Sequence, residues 1–332
     1  MGPLKTIFLA GGPEIPENHH NCQLVHDKLK LDELKAVVEN LRYTGDLKIM
    51  NIDIGIGPCS SKFPCGFCHA EKVGKDMVCD EDTELRTTDN IEENNVKWKE
   101  AERKNKLKSK ADPTAKKFFS CVHVPIIKEG LILELFPPPT LHNTLGVVNK
   151  TLEFLHMEWE AISEDECGVE NFLASLHIRK KTYFGNTLEG GECEQVLSNL
   201  SKLKEMVPAE LHIFVDFLQA FKSVKDSCFG YTLYPDWDND LKRFTAIFKQ
   251  MRRKFASVSE TVKIHIVSVH VRQFLLRDGC KRGLAEFSEQ EGESAHQHWD
   301  KIWQRLKVND EFSEAYKRAY IKTAALFTMQ HS

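Results

Sequence analysis

The sequence has 332 residues, 41% of them hydrophobic and 28% charged, with a formal net charge of −4. That is ample for a packed core and ordinary for a soluble globular protein, while the slight acidity argues against a uniformly basic nucleic-acid-binding surface. No apolar run approaches the roughly 18–20 residues of a membrane span, and Thr6–Ala10 is too short for the apolar core of a signal peptide. A cytosolic or nuclear protein is expected, and its ten cysteines are then thiols or metal ligands rather than disulfides.

In chain order, residues 1–68 read as an α/β portion. Lys5–Ala10 is a short apolar strand, Gly11-Gly12-Pro13 a turn, and Leu31–Leu41 a helix. Leu47, Ile49, Ile52, Ile54 and Ile56 mark a buried strand that runs into Gly55, Gly57 and Pro58. Residues 69–139 form an irregular, basic linker followed by a strand-like stretch, Ile126–Phe136, broken by Pro137-Pro138-Pro139. From Leu141 the apolar positions 141, 145, 148, 152, 155 and 159 alternate in steps of four and three, the mark of an amphipathic helix. Similar patterns over 193–205, 211–225 and 240–256 make 140–260 a helical block. Residues 261–332 add two widely spaced histidines and C-terminal helices over Glu293–Leu306 and Asp310–Leu326.

Charge is segregated along the chain. Lys97–Lys117 carries nine Lys or Arg against three acids, and Lys242–Lys254 carries six against none. Such runs are usually solvated faces, and the alternative is a phosphate-contacting surface.

The sharpest local motif is Cys65-Gly-Phe-Cys68. Two thiolates at this spacing are half of a tetrahedral zinc site. The pair also has the form of a redox dithiol, and with His69 it spells a haem-attachment motif, although no thioredoxin-like pattern and no export signal accompany it. His265 and His270 are the candidate partners, but five residues apart they share no face of an ideal helix or strand, so a bend is required. Two acidic positions complete the inventory. Asp46 sits where a polar turn meets the apolar stretch, as a turn residue or a metal ligand. Glu293 lies in an acidic helix start with Glu289, Glu291 and His296, either a solvated helix end or a Mg²⁺ ligand.

Taken in order, the acid, the CxxC, the helical block, the His-x4-His and the Gly-Glu-Ser around Glu293 resemble the catalytic core of the V(D)J recombinase and Transib-type transposases. The Pro137–Thr140 lead into a helix resembles the same family, as does Tyr183–Asn186 with Glu194–Leu197. The resemblance spans about residues 40–305. It implies a partial RNase-H-like α/β core with a large, zinc-bearing, mostly helical insertion. It further implies zinc on Cys65, Cys68, His265 and His270, with Asp46 and Glu293 as the second and third catalytic carboxylates binding Mg²⁺. The family's first aspartate lies further upstream of the second than the 45 residues available here, and Asp27, Asp32, Glu14 and Glu17 do not sit in its context.

An intact member would attack phosphorus with two Mg²⁺ ions. With two carboxylates only weak Mg²⁺ binding is expected. The reading is thus a recombinase-derived nucleic-acid-binding protein, truncated or catalytically inactive, with DNA and a second copy of the chain as partners and no membrane. The alternatives are a zinc-stabilised helical interaction module without a DNA role, and a Mg²⁺-dependent DNA nuclease or strand transferase.

Overall fold

The computed structural model describes residues 18–29, 33, 42–79, 83–107, 115–128, 130–162, 168–178, 187–287, 298–299, 301–306, 308 and 313–331. They fall in two compact units, one of residues 18–288 and one of 1–17 with 289–332.

The larger unit is mostly helical. It begins with α1 (His19–Leu29) and α2 (Leu47–Asp53), followed by a loop that carries the CxxC motif. An antiparallel hairpin comes next, β1 (Glu71–Val73) and β2 (Asp76–Val78), paired from Glu71 opposite Val78 to Val73 opposite Asp76. Then come α3 (Thr88–Leu107), a helical turn at Ile132–Leu135, and the long α4 (Thr140–Ile162). The block continues with α5 (Gly168–Ser175), α6 (Gly190–Ser198), α7 (Leu200–Met206), α8 (His212–Val224) and α9 (Trp237–Lys254). It ends with α10 (Val262–His265), a π-helical segment over Ile266–His270, and α11 (Val271–Arg277).

The helical block follows its apolar spacing. In α4 the buried Val148, Leu152, Leu155 and Trp159 fall on the expected stripe, joined by Val147 and Phe154. The tightest aromatic packing joins α8 to α9. Phe217 stacks on Phe244 with centroids 4.7 Å apart and meets Phe248 at 5.5 Å, while Phe221 meets Phe244 at 5.8 Å. The expected helix over 193–205 is two helices, separated at Asn199. In the smaller unit α12 (Glu314–His331) presents Tyr316 edge-on to Trp303 and Tyr320 to Trp299, with centroids 5.1 and 5.4 Å apart. Among the described residues no helix is long and apolar enough to cross a membrane.

The α/β expectation needs correction. The stretch expected to be a buried strand over 47–56 is α2, and the stretch 126–136 is loop and a single helical turn. Among the described residues the only sheet is the two-stranded hairpin, so an RNase-H-like sheet is not formed by them. The physical reason is visible in the burial of Leu47, Met50, Asn51 and Ile54. That is the i, i+3, i+4, i+7 stripe of a helix, which the alternating isoleucines obscured. Asp46 starts this helix, its carboxylate accepting the Ile49 N–H at 2.7 Å, an N-cap that satisfies one of the helix's orphan donors. The helix stops at Gly55, whose φ of +78° is open to glycine. A Cβ there would lie 2.3 Å from the His123 carbonyl oxygen. The expected strand Lys5–Ala10 lies outside the described residues.

Candidate metal centre

Cys65 and Cys68 lie on the loop between α2 and the hairpin, and backbone amides set their sulfurs. The Phe67 N–H donates to Cys65 Sγ at 3.4 Å, and the Ala70 N–H donates to Cys68 Sγ. Each sulfur thus receives an amide two residues downstream, an arrangement that favours the thiolate. At Gly66 the loop crosses α2 closely: a Cβ there would come within 2.1 Å of Met50 Cε and 3.0 Å of Asn51 Oδ1, so the methionine end would have to move. Asn51 of the same helix donates to the carbonyls of Gly57 and Pro64, both at 3.3 Å, and fixes the loop from beneath.

From the other side the loop is held by Arg86, a fully buried arginine. Its Nε donates to the carbonyls of Cys65 (2.8 Å) and Cys68 (3.1 Å). Its Nη2 donates to those of Phe63 (3.2 Å) and Phe119 (2.9 Å). The Arg86 N–H adds a bond to the Phe67 carbonyl at 2.8 Å. One guanidinium therefore spans both ends of the CxxC, using its fixed fork of donors.

The histidines come from the end of α10 and the segment that follows. Thr261 caps α10, its hydroxyl accepting the Ile264 N–H at 3.3 Å. The chain then widens into the π-helical segment Ile266–His270. Its i→i+5 hydrogen bonding brings residues five apart onto one face. This resolves the spacing of His265 and His270 without a bend. Their rings are T-shaped with centroids 4.9 Å apart, and their Nε2 atoms are 3.2 Å apart.

The four side chains converge. Cys65 Sγ lies 3.3 Å from His270 Nε2, and Cys68 Sγ lies 3.4 Å from His265 Nε2. All four donor atoms are within 4.8 Å of one another, and each residue is buried. They form a group able to hold a metal ion. Outer partners aim the imidazoles: His270 Nδ1 is 2.8 Å from Gln273 Oε1, and His265 Nδ1 is 3.5 Å from Glu260 Oε1. The acceptor at His270 Nδ1 assigns the proton there, and the nearby Glu260 carboxylate favours the same tautomer for His265, which turns the Nε2 lone pairs toward the sulfurs. Four lone pairs turned toward one point repel unless a proton or cation lies between them.

Without a cation the group shares protons unequally. Burial pushes the Cys65 thiol up, but its hydrogen bond to Cys68 and the neighbouring His270 outweigh this and hold it well below the usual thiol range. Hydrogen bonds to Cys65 and Cys79, together with burial, push Cys68 up. Burial lowers His265, yet hydrogen bonds to Cys65 and Glu260 carry it to about 10. The two shifts run in the direction of a Cys65 thiolate beside a protonated His265, a charge arrangement that a divalent cation would replace.

The acidic candidates fare differently. Asp46 is a helix cap rather than the end of a strand. Glu293, with Glu289, Glu291 and His296, lies outside the described residues, as do Asp32, Glu14, Glu17 and Tyr183–Asn186. Asp27 is exposed on α1 and accepts from Gln23 at 2.9 Å. Among the described residues no second group of three or more His, Cys, Asp or Glu side chains converges as the Cys–His group does. The sequence pattern missed Arg86, Glu260 and Gln273. Only Gln273, one helical turn after His270, carried a signal that could have found it. Compared with family models and with curated proteins, the sequence matches none.

Proposed function

We propose that the protein is a non-catalytic chain of the V(D)J-recombinase and Transib type, in which Cys65, Cys68, His265 and His270 hold a structural zinc ion. The observation that carries this reading is the convergence of two ligand pairs separated by about 200 residues (205 between Cys65 and His270) on one buried point. Two thiolates and two imidazoles are a donor set for zinc, whereas Mg²⁺ demands oxygen ligands. Zinc–sulfur bonds near 2.3 Å and zinc–nitrogen bonds near 2.0–2.1 Å require tetrahedron edges of about 3.3–3.8 Å. The S–N contacts of 3.3 and 3.4 Å and the N–N contact of 3.2 Å lie within a few tenths of an ångström of that range. With four protein donors and no exposure, no position remains for water or substrate, which makes the ion a staple and not a reaction centre.

In this reading nucleic-acid contact falls to the basic stretches Lys97–Lys117 and Lys242–Lys254, and the protein is nuclear. The second reading, a zinc-stapled interaction module without a DNA role, is favoured by one observation. Part of that basic charge is paired with acids: Lys97 with Glu93 (2.7 Å), Lys104 with Glu100 (3.8 Å), Lys242 with Asp238 (2.6 Å) and Arg252 with Asp76 (2.9 Å). Metal analysis of the purified chain tests the zinc assignment, with one equivalent expected and its loss in Cys65→Ser; a zinc-free native protein overturns it. Titration of duplex DNA at rising salt separates the two readings, since contact through phosphates weakens steeply with salt and an interaction module binds at none.

A further inference from the structure

We infer that the solvent face of α9 is a docking surface for a nucleic-acid duplex, gripping its phosphate backbone without reading its sequence. The inference rests on the nucleic-acid reading above and narrows it to one helix face. Within Trp237–Lys254 the exposed cations are Lys242, Arg243, Lys249, Arg253 and Lys254, and the remaining exposed residues are Asn239, Ala246 and Gln250. Leaving out Lys254, they fall at offsets of 0, 3, 4, 7, 10, 11 and 14 from Asn239. At 3.6 residues per turn and 1.5 Å per residue that is one stripe, about 120° wide and about 21 Å long. The opposite face is core, with Leu241, Phe244, Phe248 and Met251 buried, so packing fixes which face α9 turns to solvent.

Three observations set the stripe apart from an ordinary solvated face. It contains no acid, because Asp238 and Asp240 lie in the first turn and off the stripe. Its cations are poorly neutralised. Among the described residues Arg243, Lys249 and Arg253 have no ion-pair partner, and Lys242 shares Asp238 with Arg272, each at 2.6 Å, which leaves that trio one net positive charge. By contrast Arg252 turns away to Asp76 and Glu260 at 2.9 and 3.2 Å, and Lys254 donates to the Glu210 carbonyl at 2.6 Å. Finally, the helix itself does not ask for this charge. The dipole favours cations in the last turn, which accounts for Arg253 but not for Arg243 in the second turn. Lys249 and Arg253, like charges four residues apart, weaken the helix that carries them. The basic run of α3 differs, since Lys97 and Lys104 are paired with Glu93 and Glu100.

The kind of anion follows from what the stripe lacks. An interfacial helix enters a lipid surface through an apolar face, and that of α9 is buried in the protein. Single strands are held by stacking on aromatic rings. The stripe has none; Tyr231 and Tyr234, exposed in the loop before the helix, lie outside it. Regularly spaced phosphate fits what is present. A length of 21 Å faces about six base pairs of duplex. Ala246 at the centre lets the helix approach closely, and the guanidinium forks of Arg243 and Arg253 suit phosphate oxygens. Such contacts position a duplex and carry no sequence information.

The test measures binding of the full chain to a short labelled DNA duplex of arbitrary sequence by fluorescence anisotropy at 50 to 200 mM salt. With four phosphates engaged, wild-type affinity is expected to fall about 150-fold over that range. The triple variant Arg243→Gln, Lys249→Gln, Arg253→Gln should bind more weakly at every salt and fall only about 3- to 4-fold. The charge-keeping triple Arg243→Lys, Lys249→Arg, Arg253→Lys should retain a wild-type salt slope. Far-UV circular dichroism checks each fold; where the neutral triple loses helix, Arg243→Gln alone reads the same quantity as a slope smaller by about 0.9. Wild-type affinity and slope in the neutral variants overturn the inference while leaving the nucleic-acid reading standing. Tighter binding to the single strand, or to phosphatidylserine vesicles, also overturns it. A wild-type chain that binds no duplex at 50 mM salt overturns the nucleic-acid reading itself.

Discussion

Replacing Arg86 with Met tests whether the metal loop is held by the guanidinium or merely surrounds it. Arg86 is fully buried and donates to the carbonyls of Cys65, Cys68, Phe63 and Phe119 at 2.8–3.2 Å. Hydrogen bonds from a charged donor contribute about 1.5–3 kcal/mol each. Against that, removing a buried charge recovers its desolvation cost, itself several kcal/mol. Met is similar in length and apolar, so little cavity forms, but the carbonyls it leaves behind lose their donor. The net loss is about 3–5 kcal/mol, the range for breaking a buried charged network. With a urea slope near 3 kcal/mol per M the midpoint falls by about 1–1.7 M. Zinc affinity falls with it, by the roughly 10–100-fold typical when a support of the ligand shell is lost. Arg86→Lys recovers part of the stability only, because an ammonium is a point charge without the planar fork. Urea unfolding of the zinc-loaded chain followed by far-UV circular dichroism, with chelator competition for zinc, reads both effects. An Arg86→Met midpoint within about 0.3 M of wild type, together with an unchanged zinc affinity, would refute the reasoning.

Glu260→Gln removes the carboxylate 3.5 Å from His265 Nδ1, and zinc affinity by chelator competition is expected to fall about 10–100-fold. An unchanged affinity would show that Glu260 serves only its ion pair with Arg252. Gly55→Ala forces a side chain into φ +78° with a 2.3 Å contact to the His123 carbonyl, costing about 2–4 kcal/mol by denaturant unfolding while leaving zinc content intact. A loss below about 0.5 kcal/mol would mean that the α2 turn relaxes freely. Burial, with Glu194 and Glu192 adding to it, pushes the Cys193 thiol from 9.0 up to about 12. Between those values the unfolded thiol gives up its proton and the folded one keeps it, so stability declines as pH rises from about 9 toward 12. Cys193→Ala should flatten that decline, and in the wild type Cys193 should resist alkylation at pH 8 until the chain unfolds. Cys193 labelled as fast as exposed Cys280 contradicts the assignment.

The metal group was legible from residue types and order, because thiolate and imidazole ligands must be Cys and His whatever fold carries them. The spacing of His265 and His270 argued against a shared face only for an ideal helix, and the π-helical segment is invisible to period analysis because it departs from 3.6 residues per turn for a single turn. The misread stretch 47–56 shows the opposite failure. Five isoleucines and leucines imitate a buried strand, while the signals of the true structure were the N-cap Asp46 and a buried Asn51 that counts as polar in any pattern. Arg86 could not be found at all. The carbonyls it binds come from two stretches some fifty residues apart, and carbonyls have no sequence signature.

The distance between the two ligand pairs decides when in folding the centre forms. Cys68 and His265 are 197 residues apart and Cys65 and His270 are 205 apart. Bringing such distant points together costs an unfolded chain roughly 5 kcal/mol in loop closure. The CxxC alone offers half a coordination shell, and the second half requires α10 and its π-helical extension to pack against α4 and α9. In the proposed zinc-bound form all four donors meet only in the finished helical block, so the binding free energy would fall almost wholly on the folded side of the equilibrium and add to stability by mass action. An ion held in this way would lock the loop that Asn51 and Arg86 hold onto α10 and its extension, and would not be expected to nucleate the fold.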